Sequence, residues 1–147
     1  MIRVLVVDDS AFMRKAISRT IASDPAFEVV GVACNGMDAV EQAQCLRPDV
    51  ITLDLEMPVM DGLTALRTIN ATCQAFSPRV LVCTSPAVGA ACETHSPMYI
   101  GASDLILKDP CIGQGNSGFN AELLSKLHAI SSAATHRTAE GTTCTRT

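Results

Sequence analysis

Five polar side chains follow short aliphatic runs of the sequence, and their types suit metal and phosphoryl chemistry. Four such runs are each followed by one or two of them, namely Asp8 and Asp9, Asp54, Thr84, and Lys108. Carboxylates brought close together repel one another, so a bound cation would stabilise them. Oxygen ligands that leave room for water and phosphate suit Mg2+ better than zinc. The residue types therefore predict a magnesium site that also draws in phosphate oxygens.

The other two side chains complement the carboxylates. Lys108 would hold a phosphate oxygen, or would pair with Asp54 when no phosphate is present. Thr84 would donate a hydrogen bond from its hydroxyl to a newly arrived phosphoryl group. Together with the carboxylates they make a set that can attract, hold and neutralise a phosphoryl group.

The elements that must position these residues are strands alternating with helices. The aliphatic runs at 4–7, 27–34, 50–53, 80–83 and 105–107 predict five strands, and helical spacing predicts helices between them and a last helix over 119–134. Ser10 suits the N-cap of the first helix. Such alternation is typical of a doubly wound, five-stranded parallel α/β sheet, in which ligands bind at the carboxyl ends of the strands. All of the candidate residues fall at that end.

Each candidate has an ordinary structural interpretation when it is taken alone. An Asp-Asp pair or a single Asp after a strand is often a turn or a helix cap. A lone Thr is most often a satisfied loop hydroxyl, and a lone Lys is usually solvated. The coincidence of all of them at the same end of separate strands favours a functional site.

Composition excludes several functional classes. The formal net charge is −4 and the basic residues are scattered, which argues against direct binding of nucleic acid. No apolar run approaches the roughly 18 residues that a membrane-spanning helix needs. The seven cysteines show no C-x-x-C pair or metal-binding spacing. Because Met1 leads directly into a strand, leaving no room for a signal peptide, the sequence predicts a cytoplasmic protein without membrane insertion.

Two segments carry a family resemblance. The first is Val-Leu-Val-Val-Asp8-Asp9-Ser-Ala-Phe-Met-Arg, and the second is Asp54-Leu-Glu-Met-Pro-Val-Met-Asp-Gly62. Both resemble the receiver domain of bacterial response regulators. More closely, they are similar to the receiver half of chemotaxis protein-glutamate methylesterases. The resemblance extends over about residues 2–134 and is densest before residue 66.

The resemblance implies a flavodoxin-like sheet with strand order 2-1-3-4-5. It also implies that Asp9 ligates Mg2+ directly, Asp8 chiefly through water, and that Asp54 is both ligand and phosphoacceptor. The backbone carbonyl of Glu56 would complete the protein ligands. The phosphoryl donor would be a phosphohistidine of a sensor histidine kinase, and Thr84 would couple phosphorylation to partner binding.

Three residues depart from the family pattern on the expected output side. Asp109 separates Lys108 from Pro110, Leu105 stands where receivers often carry an aromatic residue, and Pro97 interrupts a weak helical segment at 87–99. Because of these departures, an alternative interpretation is that the chain is a module that binds partners independently of phosphorylation. An aspartyl phosphohydrolase is a further alternative, although Asp54-Leu-Glu56 mimics its motif poorly.

The expected domain organisation is a receiver over 1–134 and a polar tail or truncated linker over 135–147. No Gly-x-Ser-x-Gly motif occurs, so methylesterase activity would need a second domain. The downstream partner, or a missing effector domain, is not identified by the sequence. The chain as it stands is expected to be a phosphoacceptor and not an enzyme.

Overall fold

Strands and helices alternate along the chain. The computed structural model describes residues 1–55, 62–73, 78–84, 102–107 and 118–144, the last range by its backbone alone beyond residue 131. The strands are β1 (Ile2–Val7), β2 (Phe27–Ala33), β3 (Val50–Asp54), β4 (Arg79–Thr84) and β5 (Asp104–Leu107). The described helices are α1 (Ala11–Ala22), α2 (Gly36–Leu46), α3 (Gly62–Thr72) and α4 (Gly118–Cys144).

The strands form one parallel sheet in the order β2-β1-β3-β4-β5. This is the order expected for a flavodoxin-like doubly wound sheet, and the prediction is confirmed. Because all strands run the same way, their carboxyl ends lie at one edge of the sheet. β3 occupies the middle, with Leu53 opposite Val7 of β1 and Asp54 opposite Cys83 of β4.

Alternate residues of the strands pack into two separate layers. One layer contains Leu5, Ile51 and Val82 with residues of α2 and α3. The other contains Val6 and Val50 with residues of α1 and α4. Both faces of the central strand are therefore buried, which explains why the residues facing either layer are mostly apolar, with Thr52 the one polar residue before Asp54.

The helices α1 and α2 begin at side-chain caps. The Ser10 hydroxyl accepts a hydrogen bond from the Met13 N–H at 3.3 Å, and the Asn35 side-chain Oδ1 accepts one from the Asp38 N–H at 2.8 Å. These bonds satisfy backbone donors that a helix N-terminus leaves unpaired. The predicted Ser10 cap is confirmed.

Two arginines cap the C-terminus of α2. Arg47 adopts a left-handed conformation with φ of 49°, the only non-glycine residue to do so in the described part of the chain. Arg3 Nη1 donates to the carbonyl oxygens of Leu46 and Arg47 at 2.6 Å and 3.0 Å. A cation at this end also interacts favourably with the helix dipole.

Some details differ from the sequence-based expectations. Phe12 and Met37 belong to the apolar pattern of their helices but are 62% and 54% exposed. Helix α4 continues to Cys144, beyond the end predicted at residue 134. The weak helical segment predicted at 87–99 lies outside the described residues. No helix of the described residues is long and apolar enough to cross a membrane.

Candidate phosphoacceptor and metal site

Three carboxylates meet at the carboxyl edge of the sheet. Asp8 and Asp9 follow β1 and Asp54 ends β3, so the pairing of these two strands brings the carboxylates together. One oxygen of each lies within 4.8 Å of the others. Asp8 and Asp54 are 0% and 2% exposed, whereas Asp9 is open to solvent. The structure thus places the three predicted carboxylates in one site.

Asp8 is held by the loop that leads into α1. Its backbone N–H donates to the Ala33 carbonyl at 3.1 Å, and its Oδ1 accepts from the Ser10 N–H at 2.9 Å. Arg14 Nη1 donates to the Asp8 carbonyl oxygen at 2.8 Å. These bonds fix both the backbone and the side chain, so the carboxylate is positioned before any ligand arrives. The role of Arg14 was not expected from the sequence.

Thr84 is the last residue of β4, beside the end of β3. It is 0% exposed, and its Oγ1 has no hydrogen-bond partner among the described residues. A buried hydroxyl without a partner costs free energy. It lies one residue beyond Cys83, which is paired with Asp54, so Thr84 and Asp54 are at the same edge of the sheet.

Two predicted site residues, Lys108 and Glu56, lie outside the described residues. The strand β5 ends at Leu107, immediately before Lys108. Asp109 and Pro97, which depart from the family pattern, are also outside the described residues. Leu105 is described, and it is partly buried against the core layer of α2 and α3.

Gly62 lies against the backbone of Asp54, which the sequence did not indicate. This first residue of α3 donates its N–H to the Leu55 carbonyl oxygen at 3.0 Å. A Cβ atom at position 62 would collide with the Asp54 carbonyl oxygen and would lie 2.6 Å from the Leu55 Cα. The Asp-Gly dipeptide at the start of a helix is a turn signal, but it does not reveal this approach.

The donor set fits a hard divalent cation. It consists of carboxylate oxygens, two of them buried and one exposed, so a metal bound there would keep part of its water shell. Mg2+ prefers oxygen ligands and retains waters, whereas structural zinc prefers sulfur and nitrogen. Asp8, Asp9 and Asp54 are therefore the described residues that could hold Mg2+.

Comparison with known proteins places these features in a family. Residues 4–113 match the response regulator receiver domain family. The protein-glutamate methylesterase/protein-glutamine glutaminase 1 of Geobacter sulfurreducens is 42% identical over 132 residues, which are 89% of this chain and 36% of the relative. Its counterpart in Methanosarcina acetivorans is 43% identical over 130 residues, or 88% of this chain and 36% of that protein.

Solved structures of response regulator domains are also similar to this chain. The response regulator domain of Thermotoga maritima CheB has a TM-score of 0.76 and 40% identity, and the match covers 92% of this chain and 97% of that domain. A CheX-CheY-BeF3-Mg2+ complex from Borrelia burgdorferi contains a chain with a TM-score of 0.72 and 26% identity, covering 88% of both chains.

The fold, the carboxylate cluster and these matches define a class of protein. The chain belongs to the response regulator receiver domain family, whose members act in two-component signalling. Within that family it is similar to the receivers of CheB-type chemotaxis response regulators. It spans about a third of the length of the curated relatives named above.

Proposed function

We propose that this chain accepts a phosphoryl group on Asp54 from the phosphohistidine of a sensor histidine kinase. Mg2+ would be held by Asp8, Asp9, Asp54 and the backbone carbonyl of Glu56. The observation that carries the proposal is the meeting of the Asp8, Asp9 and Asp54 carboxylates at the strand ends. The proposal agrees with the family and with the chemistry of the donor set.

In the proposed reaction an Asp54 carboxylate oxygen attacks phosphorus in line with the departing imidazole nitrogen. The P–N bond breaks as the new O–P bond forms, so an acyl phosphate replaces the phosphohistidine. Bound Mg2+ would supply neutralisation of the negative charge that accumulates on the oxygens. The protein contributes chiefly by positioning, because Asp54 is fixed at the end of a central strand.

Thr84 and Lys108 would act on the transferred group. The Thr84 hydroxyl would donate a hydrogen bond to a phosphoryl oxygen, which gives this buried hydroxyl the partner it otherwise lacks among the described residues. Lys108 would pair with another phosphoryl oxygen. Water would later attack the phosphorus of the acyl phosphate, releasing phosphate and restoring the Asp54 carboxylate.

The relatives suggest partners beyond the kinase. Curated relatives are named as methylesterases and glutaminases, and one structural neighbour is a complex with CheX, BeF3 and Mg2+. We infer that phosphorylation of this receiver regulates a linked or separate effector, with methylesterase activity only if a second domain is attached. We also infer that residues 1–134 form the receiver, that 135–147 belong to a polar tail or linker, and that the protein acts in the cytoplasm.

The test is labelling of the purified chain with Mg2+ and a small-molecule phosphodonor. The parent should give a base-labile phosphoprotein, and Asp54→Asn should give none. Asp104→Asn is the matched control, because it removes one carboxylate at the opposite end of its strand from the carboxyl edge. Equal labelling of the parent and Asp54→Asn would contradict the assignment, as would absence of labelling in the parent.

A further inference from the structure

We propose that Gly62 is a positioning residue for the acceptor: its lack of a side chain lets the first turn of α3 rest on the peptide that joins Asp54 and Leu55. This contact would fix the Asp54 carboxylate relative to Asp8 and Asp9. The inference rests on the proposed function of Asp54 and adds a residue that never touches the phosphoryl group.

The contact is made by backbone atoms on both sides. The Gly62 N–H donates to the Leu55 carbonyl oxygen at 3.0 Å, which ties the start of α3 to the residue after the acceptor. A Cβ atom at position 62 would meet the Asp54 carbonyl oxygen and carbon and the Leu55 Cα, the last two at 3.0 Å and 2.6 Å. Backbone atoms cannot rotate away as the end of a flexible side chain can.

The elements on either side of the contact are anchored. The strand β3 lies between β1 and β4, and every one of its residues is buried. The helix α3 is held in the core by Ala65, Leu66 and Ile69, all of which are 0% exposed. A side chain at position 62 would therefore press on the peptide that joins Asp54 and Leu55, and a shift of that peptide would change the orientation of Asp54.

Gly118 provides a matched control elsewhere in the chain. It is also the first residue of a helix, α4, so replacement by alanine has a similar effect on local helix formation. A Cβ atom at position 118 would meet no heavy atom within 4 Å. If the two substitutions have different effects on Mg2+ affinity or phosphorylation rate, the difference can be attributed to the close approach of position 62 to the Asp54 backbone.

The first experiment measures Mg2+ affinity by isothermal titration calorimetry and initial phosphorylation rate with a small phosphodonor. We expect Gly62→Ala to weaken Mg2+ binding about tenfold, as loss of ligand-supporting contacts generally does. We expect its phosphorylation to slow by about 100-fold, because misplacement of a reacting group by about 1 Å costs that much. Gly118→Ala should match the parent in both.

A second experiment separates positioning from general loosening of the structure. Mg2+ affinity is measured again in an Asp54→Ala background, where the residue being positioned has lost its carboxylate. If Gly62 acts through Asp54, adding Gly62→Ala to that background should have little further effect. Equal weakening in the two backgrounds would overturn the proposal.

The possible results are distinguishable. A parent that neither binds Mg2+ nor accepts phosphate overturns the proposed function itself. If the parent binds Mg2+ and accepts phosphate, but Gly62→Ala and Gly118→Ala have equal Mg2+ affinities and phosphorylation rates, only the role of Gly62 is overturned. If Gly62→Ala is incompletely folded by circular dichroism, the measurements are repeated in trimethylamine N-oxide, which favours the folded state. Failure to fold even there, or recovery of full Mg2+ affinity there, would also overturn the positioning role.

Discussion

Two threonine hydroxyls in neighbouring strands lack a hydrogen-bond partner among the described residues. Thr52 lies inside β3 and is 1% exposed, with Val6 and Leu81 opposite it on the adjacent strands. Thr84 lies at the end of β4 and is 0% exposed. Burial without a partner costs free energy for either hydroxyl, but only Thr84 stands at the edge where a phosphoryl group would bind.

Comparison of these two threonines tests the proposed role of the Thr84 hydroxyl in phosphorylation. Replacing either threonine by valine removes an unsatisfied polar group while keeping the shape, so stability should be unchanged or higher by up to about 1 kcal/mol. Thr84→Val should nevertheless slow phosphorylation about tenfold, because it removes a hydrogen bond to a charged oxygen. Thr52→Val should leave the rate unchanged.

Urea unfolding and initial labelling rates measure the two effects separately. Equal rates for Thr84→Val and Thr52→Val would contradict a role for the Thr84 hydroxyl. A large loss of stability in Thr84→Val alone would instead identify it as a structural residue.

At the scale of elements, the end of α2 offers a stability test. Arg47 has a positive φ, which costs free energy in any residue with a Cβ atom. Arg47→Gly should therefore stabilise the fold by about 0.5–1 kcal/mol, since glycine is the preferred residue in this conformation at a helix end. The backbone carbonyl that accepts from Arg3 is kept in the variant.

Arg47→Ala is the control, because it removes the long side chain but keeps the Cβ atom. Urea unfolding followed by circular dichroism should rank Arg47→Gly above the parent and Arg47→Ala at or below it. A glycine variant no more stable than the alanine variant would contradict the interpretation.

The sequence predicted the strands well, and there is a physical reason. Buried parallel strands are short aliphatic runs with polar residues at their ends, so the pattern marks both their position and the site. Asp8 and Asp54 were found in this way, since each directly follows such a run. The structure then brought them together through the pairing of β1 and β3.

Other features depend on tertiary relations that a local pattern does not contain. Phe12 and Met37 have the spacing of core residues, but they fall in the first turns of their helices and remain exposed. The role of Gly62 depends on a peptide eight positions earlier in the chain. The helix α4 runs past Ala134 through residues with no apolar periodicity, so their composition did not indicate helix.

At the scale of the whole molecule, α4 is connected to the turn between α1 and β2. His128 Nε2 lies 2.7 Å from Asp24 Oδ2, and the rings of His128 and Phe27 are 4.8 Å apart between centroids. The Ala26 N–H, which donates to Asp24 Oδ1 at 2.9 Å, and then the His128 ring hold the pKa of Asp24 below its ordinary value of 3.8. The folded state thus favours the ionised carboxylate.

A pH dependence of stability follows from the lowered pKa of Asp24. A carboxyl group with a lowered pKa contributes stability that is fully present above pH 3.8 and is lost as the pH falls through its folded value. Asp24→Asn should remove this contribution and flatten the decline of unfolding free energy in acid. The measurement is urea unfolding at a series of pH values from 6 down to 2.

Glu28→Gln, which removes an exposed carboxylate on β2, controls for the loss of one negative charge. It should keep the acid dependence of the parent. Parallel curves for the parent and Asp24→Asn would contradict the assigned role of Asp24.

The central place of β3 has a consequence for how the molecule can respond. Amide protons in a strand buried on both faces and paired on both sides exchange with solvent mainly when the whole fold opens. The proposed acceptor is therefore attached to the part of the chain that we expect to open last. Because that support resists deformation, we expect any rearrangement after phosphorylation to lie outside β3. The strand that receives the signal would itself keep its conformation.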